Sequence, residues 1–431
     1  MKRKLKKWEK IGCWAVAAMV LAGGGFMGVK NFVPEQRSLT IVDEASVVSS
    51  QTPAEGNAES GAEETAAATS AETVDLKVDG KAAILIDGSS GKVLFEQNAH
   101  KHLPPASVTK VMTLLLIMEG CDSGKIALDD KVTISERAAS MGGSQMYMEV
   151  GEQHSVEELL KGVIMVSAND GCVALAEHLS GSVESFVDSM NKRAEEMGLK
   201  DSHFVNTNGL PVANHYSCAY DIGMISKELM KYDKTHKWFT AWQEDIQVGL
   251  PGKKSKFTLT NTNKLIRSYS GAIGVKTGFT QDAGYCLSGA ADRDGTRMIG
   301  VVLGCKTSDI RFAEMAKLLD YGFANYETVQ LASEGEKIDT LKITKGDREK
   351  LFAVAKEQIG ITVKKGEVDK VKTKTKLDES ISLPVKKGDP VGSLVIYENK
   401  KKTGEYELVS DRDVKRAGIK TIYIRMMKKL V

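Results

Sequence analysis

The chain has few cysteines and no pattern to them: six in 431 residues, with no Cys-x-x-Cys pair and no repeating interval. Five of the six (Cys121, Cys172, Cys218, Cys286 and Cys305) lie outside the apolar N-terminal stretch. An odd, irregular set argues against a disulfide framework and against a cysteine-based zinc site. Cys172, Cys286 and Cys305 sit in apolar runs and read as small buried residues. The histidines include no His-Glu-x-x-His, and the close pair His100-Lys-His102 reads as surface rather than metal site. A charge excess is lacking too, since 59 Lys and Arg face 57 Asp and Glu for a formal net charge of +2. That balance, without a nucleic-acid motif, leaves no reason to invoke DNA or RNA as a partner. No cofactor is called for. Aromatic residues are absent from Pro34 to Asp75, a stretch rich in Ala, Glu, Ser and Thr. Such a segment cannot bury a core and reads as a flexible acidic tether, with a typical reach of roughly 35 Å.

What is present begins with a membrane signal. Lys2, Arg3, Lys4, Lys6, Lys7 and Lys10 stand against Glu9 alone, and Ile11 to Val29 is an uncharged, mostly apolar run of 19 residues. The charge bias places the N-terminus inside the cell and the remainder outside. The length suits one membrane span. A cleaved signal peptide is the competing reading, because Val20-Leu-Ala22 offers a small-residue site.

Three short motifs follow in order: Ser107-Val-Thr-Lys110, Ser167-Ala-Asn169 and Lys276-Thr-Gly278. Each type recurs by chance, at Ser89/Lys92, Ser189/Lys192, Ser189/Asn191 and Lys402-Thr-Gly404, so context must separate them. Ser107 follows Pro104-Pro105-Ala106 and precedes a strongly apolar run. Prolines open helices, so Ser107 falls in the first turn of a buried helix, with Lys110 on the same face. The helix N-terminus adds free N–H groups and a positive dipole end. Ser89 instead sits in Asp-Gly-Ser-Ser-Gly-Lys between two apolar runs, a hairpin turn with a solvated lysine. Ser189 lies on a polar helical stretch, and Lys402-Thr-Gly404 reads as an exposed hairpin loop. Lys276 begins differently: it belongs to the first of three apolar runs joined by tight turns, an antiparallel meander. Ser167-Ala-Asn169 falls at the break between two apolar helices.

A nucleophilic serine with a lysine base, a second serine with an amide, and a cationic strand are known together from penicillin-binding proteins and class A β-lactamases. The chain resembles the serine-type D-Ala-D-Ala carboxypeptidases among the low-molecular-mass penicillin-binding proteins. Further segments carry the likeness, including Gly143-Ser-Gln-Met-Tyr, Phe204-Val-Asn-Thr-Asn-Gly-Leu-Pro, His215-Tyr-Ser and Asn261-Thr-Asn-Lys-Leu. The resemblance implies that Ser107 attacks the penultimate D-Ala carbonyl of a peptidoglycan stem peptide ending in D-Ala-D-Ala, with Lys110 as base. Ser167 would relay a proton to the departing D-Ala, and Asn169 would orient Lys110. Lys276 and Thr277 of Lys-Thr-Gly278 would hold the terminal carboxylate, with Arg311 assisting. The N–H groups of Ser107 and Phe279 would form the oxyanion hole. β-Lactams would acylate the same serine.

The implied fold is α/β, a β-lactamase/transpeptidase-like domain of antiparallel sheet plus helical subdomain, followed by a small all-β C-terminal domain. The expected organisation is a signal or anchor over 1–33, a linker over 34–76, the catalytic domain over 77–327 and the C-terminal β-rich domain over 328–431. The location would be extracytoplasmic, held to the cytoplasmic membrane by the N-terminal segment or released by its cleavage. The middle motif is Ser-Ala-Asn rather than Ser-Asp-Asn, and Phe279 stands where some relatives carry histidine. Ile424 to Val431 is too short for a stable amphipathic helix on its own. Alternatives are a D,D-endopeptidase, a β-lactamase, for which no Glu-x-x-Leu-Asn segment lies between Asn169 and Lys276, and a silent wall-binding scaffold.

Overall fold

The computed structural model describes residues 76–378 and 381–430. The expected N-terminal anchor and acidic linker lie outside the described residues. Among the described residues no helix is long and apolar enough to cross a membrane.

The elements that position the site are β1 (Ala82–Asp87), β2 (Val93–Gln97), α1 (Lys110–Asp122), α2 (Val156–Met165), α3 (Asn169–Ser180) and α4 (Ala219–Leu229). They continue with β3 (Ala272–Thr280), β4 (Gly284–Arg293), β5 (Thr296–Cys305) and α5 (Ser308–Asn325). The strands form one antiparallel sheet in the order β2-β1-β5-β4-β3, so the first two strands of the domain pair with the last three. All six residues of β1 are buried because both faces of the sheet are covered. Ala82, Ile84 and Ile86 pack into the core shared with the helices. Ala83 and Leu85 face the opposite way, toward Met315, Leu318 and Leu319 of α5. A buried strand of this kind reads in sequence as a continuous apolar run rather than an alternating one.

Helix α2 is started by a capping box in which Ser155 and Glu158 satisfy each other's backbone N–H groups. It ends at Met165, and α3 starts at Asn169, leaving Ser167 in the break. Ser167 has φ 63°, a left-handed conformation uncommon outside glycine.

The C-terminal part contains β6 (Tyr326–Ala332), β7 (Lys337–Lys342), β8 (Lys350–Ala355), β9 (Ile359–Lys364), β10 (Val371–Leu377), β11 (Pro390–Glu398), β12 (Lys401–Ser410) and α6 (Ile419–Leu430). β6 pairs with β9, and the other strands form a sheet in the order β7-β8-β12-β11-β10 around a separate apolar core. Three expectations are corrected here. Lys402-Thr-Gly404 lies within β12, not in a loop, and the preceding turn falls at Asn399–Lys400. Lys92 is not simply solvated: its ammonium meets Glu398 of β11 at 2.7 Å. The last residues do form a helix, because Arg425 anchors α6 to the carbonyls of Gly346 (2.7 Å) and Asp347 (2.9 Å). Tertiary contacts thus supply what the isolated length could not. Beside Lys92, Thr362 Oγ1 of β9 donates to the buried carboxylate of Asp87 at 2.7 Å, so β1 and the C-terminal strands share a polar seam.

Candidate active site

Ser107 stands in a 3-10 turn, Ala106–Thr109, that runs directly into α1. The helix is buried almost all round, which places Lys110 in its first turn wholly out of water. Its Nζ lies 2.9 Å from Ser107 Oγ, 2.8 Å from Asn169 Oδ1 and 2.7 Å from the carbonyl oxygen of Asn208. The orientation of the Asn169 amide is fixed from its other side, where Nδ2 donates to Gly142 O at 2.7 Å. Asn169 Oδ1 and Asn208 O can only accept. A neutral Lys110 amine keeps two N–H bonds for them and turns its lone pair toward the Ser107 hydroxyl. Burial lowers the pKa of Lys110 to about 8, against partial opposition from Cys172 and Asp170.

β3 runs beside the serine turn. A methyl group at Gly278 would come within 3.0 Å of the Val108 nitrogen and 3.1 Å of Pro105 O, so only glycine lets the strand lie this close. Lys276 is buried, and its Nζ donates to Thr277 O at 3.1 Å. Burial, followed by the charge of Lys110, pushes its pKa well below the usual lysine range. Thr277 Oγ1 pairs with Thr262 Oγ1 at 2.8 Å. Phe279 is half exposed, its ring 4.3 Å from that of Tyr285. Arg311 reaches the back of the same strand, donating to Gly278 O at 3.0 Å and to Cys286 O at 3.4 Å. Ser167 Oγ is buried and has no hydrogen-bond partner.

Several residues that shape the site were not singled out by motif. The Asn208 carbonyl binds Lys110, and Gly209 follows with φ +84°, where a methyl group would collide with Ala106 O. Asp170 is buried and accepts from the Met146 and Gly171 N–H groups, tying the 142–148 loop to the start of α3. His215 accepts from Val205 N–H at Nδ1 (3.0 Å), so its Nε2 carries the proton and donates to Thr109 Oγ1 (2.8 Å). In sequence, Asn208, Gly209 and His215 stand only within segments that carry the family likeness, with no role attached, and Asp170 carries no signal. Cys172, which the sequence gives as a small buried residue, is fully buried, and burial raises its pKa to about 11.

Residues 65–307 match the family model described as D-alanyl-D-alanine carboxypeptidase, and residues 326–416 match that of the penicillin-binding protein 5 C-terminal domain. The chain is 44% identical over 356 residues to D-alanyl-D-alanine carboxypeptidase DacF of Bacillus subtilis, covering 82% of this chain and 91% of that one. It is 36% identical to DacC of Escherichia coli, covering 79% and 86% respectively. Among solved structures, penicillin binding protein 5 of Haemophilus influenzae superposes with a TM-score of 0.64 at 33% identity, over 80% of this chain and 100% of that one. Motifs, fold and relatives agree, and the chain belongs to the D-alanyl-D-alanine carboxypeptidase family of serine-type peptidases.

Proposed function

We propose that this carboxypeptidase removes the terminal D-Ala of peptidoglycan stem peptides through an acyl-enzyme on Ser107, with each motif residue in a defined role. The observation that carries the assignment is the coordination of Lys110, whose amine has two fixed acceptors and one remaining direction, toward Ser107 Oγ. Lys110 takes the serine proton as Oγ attacks the penultimate D-Ala carbonyl. The N–H groups of Ser107 and Phe279 hold the oxyanion, a kind of donor whose loss typically costs about 10²–10³ in rate. Ser167, buried with an unpartnered hydroxyl, passes a proton to the departing D-Ala nitrogen. The cationic face of Lys276, Thr277 and Gly278 receives the terminal carboxylate, while Arg311 braces that strand from behind and adds positive charge. Water then hydrolyses the ester. β-Lactams enter by the same route.

The domain boundaries read as catalytic over 77–327 and C-terminal over 328–431, the latter starting inside β6. The basic, then apolar N-terminal segment supports attachment to the cytoplasmic membrane. The test is mass spectrometry of wild type and Ser107→Ala after brief exposure to penicillin, with D-Ala release from a stem-peptide mimic. A penicillin adduct on wild type that is missing from Ser107→Ala, together with D-Ala release, is expected. An adduct that survives in Ser107→Ala overturns the nucleophile.

A further inference from the structure

Outside the active site, donor side chains converge on one carboxylate. His100 Nδ1 lies 2.9 Å from Asp201 Oδ2, and His102 Nε2 lies 3.0 Å from Asp201 Oδ1. Cys218, fully buried, adds a thiol: ligand atoms of His100, Asp201 and Cys218 all lie within 4.8 Å of one another. Both imidazoles are held by aromatic partners. His100 stacks on Tyr220 at 4.7 Å between centroids, and His102 on Tyr216 at 4.4 Å. The backbones are joined as well, through Tyr220 N–H to Ala99 O (3.0 Å) and a reciprocal bridge between Leu103 and Ser217 (2.8 and 3.1 Å). In sequence the histidine pair reads as surface; Asp201 and Cys218 lie about a hundred residues further along, and only the fold assembles the set.

We propose that His100, Asp201 and Cys218 form a zinc site, with His102 on the second oxygen of Asp201 as the adjoining donor. Imidazole, carboxylate and thiol together suit Zn²⁺, whereas Ca²⁺ and Mg²⁺ prefer oxygen alone. An ordinary His–Asp–His ion pair explains the two short contacts, and the Cys218 sulfur caps the start of α4 by accepting from Asp221 N–H at 3.3 Å, a bond that a metal-bound thiolate keeps. Burial first, and then the Asp221 and Asp201 carboxylates, raise the thiol pKa to about 12. A bound dication reverses that balance: the Cys218 sulfur binds as thiolate, and its proton leaves to solvent. The ion would cross-link the segment leading into Ser107 to the start of α4 and to the Asp201 turn.

The test is titration of the full-length protein, stripped with chelator, with Zn²⁺ and separately with Co²⁺. Wild type is expected to bind one Zn²⁺ and, with Co²⁺, to show a near-ultraviolet thiolate-to-metal charge-transfer band. His100→Ala should fold normally, because that side chain is 58% exposed. It and Asp201→Asn should each weaken binding by more than the roughly 10–100-fold typical of losing an outer-shell partner. Cys218→Ser should abolish the charge-transfer band. Failure of wild type to bind, binding undiminished in His100→Ala, or Co²⁺ binding without the thiolate band would each overturn the proposal.

Discussion

In the proposed mechanism the protonation of Lys110 sets the rate of acylation, and the geometry of its amine offers a way to move it. The amine acts as base only when neutral, and burial brings its pKa to about 8. Acylation by a β-lactam should therefore rise with pH and level off above about 8, rather than near the ordinary lysine value of about 10.4. At pH 7 a pKa of about 8 leaves roughly 10% of the amine neutral, whereas one of about 10.5 leaves roughly 0.03%. The perturbation is Asn169→Asp. It keeps the side-chain shape but puts a carboxylate where Asn169 Oδ1 now sits, 2.8 Å from Nζ. An opposite charge at that distance favours the ammonium and restores most of the lost basicity. The expected result is an acylation profile displaced upward by about two pH units and a rate at pH 7 reduced about 10²-fold. Stopped-flow acylation by a fluorescent penicillin between about pH 6 and 10 measures both. A variant whose profile stays at the wild-type midpoint would refute the assignment of Lys110 as the titrating base. The same burial carries a stability cost. The ammonium is disfavoured in the fold, so about 3 kcal/mol is forgone below pH 8 and recovered as pH rises from about 8 to about 10.5.

Other perturbations follow from the same geometry. Ser167→Ala removes a hydroxyl without a partner, so thermal stability should change by less than about 0.5 kcal/mol, while D-Ala release falls about 10²–10⁴-fold. Parallel calorimetry and turnover assays separate the two effects. Gly278→Ala drives a methyl group against the Val108 nitrogen and Pro105 O, forcing β3 off the serine turn. Acylation should drop about 10²-fold, with about 1–3 kcal/mol of destabilisation in denaturant unfolding. Asp87→Ala leaves Thr362 Oγ1 and the Ser90 N–H without their acceptor. It should cost about 1–3 kcal/mol and make the junction between the two domains cleavable in limited proteolysis, with penicillin acylation retained.

The serine turn was legible because prolines and an apolar run mark a helix start, and the three-strand meander because tight polar turns separate its strands. Side-chain motifs announce themselves; backbone groups do not. The Asn208 carbonyl, which completes the Lys110 site, has no residue signature, and only the neighbouring glycine hints at the turn that presents it. Asp170 belongs to no motif, yet it is buried and organises the 142–148 loop. The Lys92–Glu398 pair joins residues 306 positions apart, a separation over which pattern carries no information. The terminal helix is too short to hold on its own, and it forms because Arg425 clamps it to the Gly346 and Asp347 carbonyls of its own C-terminal domain.

The burial of Lys276 has a thermodynamic consequence for recognition. Burial disfavours the charged form of Lys276, and a carboxylate arriving beside it, as proposed, raises its affinity for the proton. Ligand binding is then coupled to proton uptake from the medium. The apparent calorimetric enthalpy should vary with the ionisation enthalpy of the buffer, and carboxylate ligands should bind less tightly as the solution becomes more alkaline. An uncharged amide analogue of the same ligand should show neither dependence.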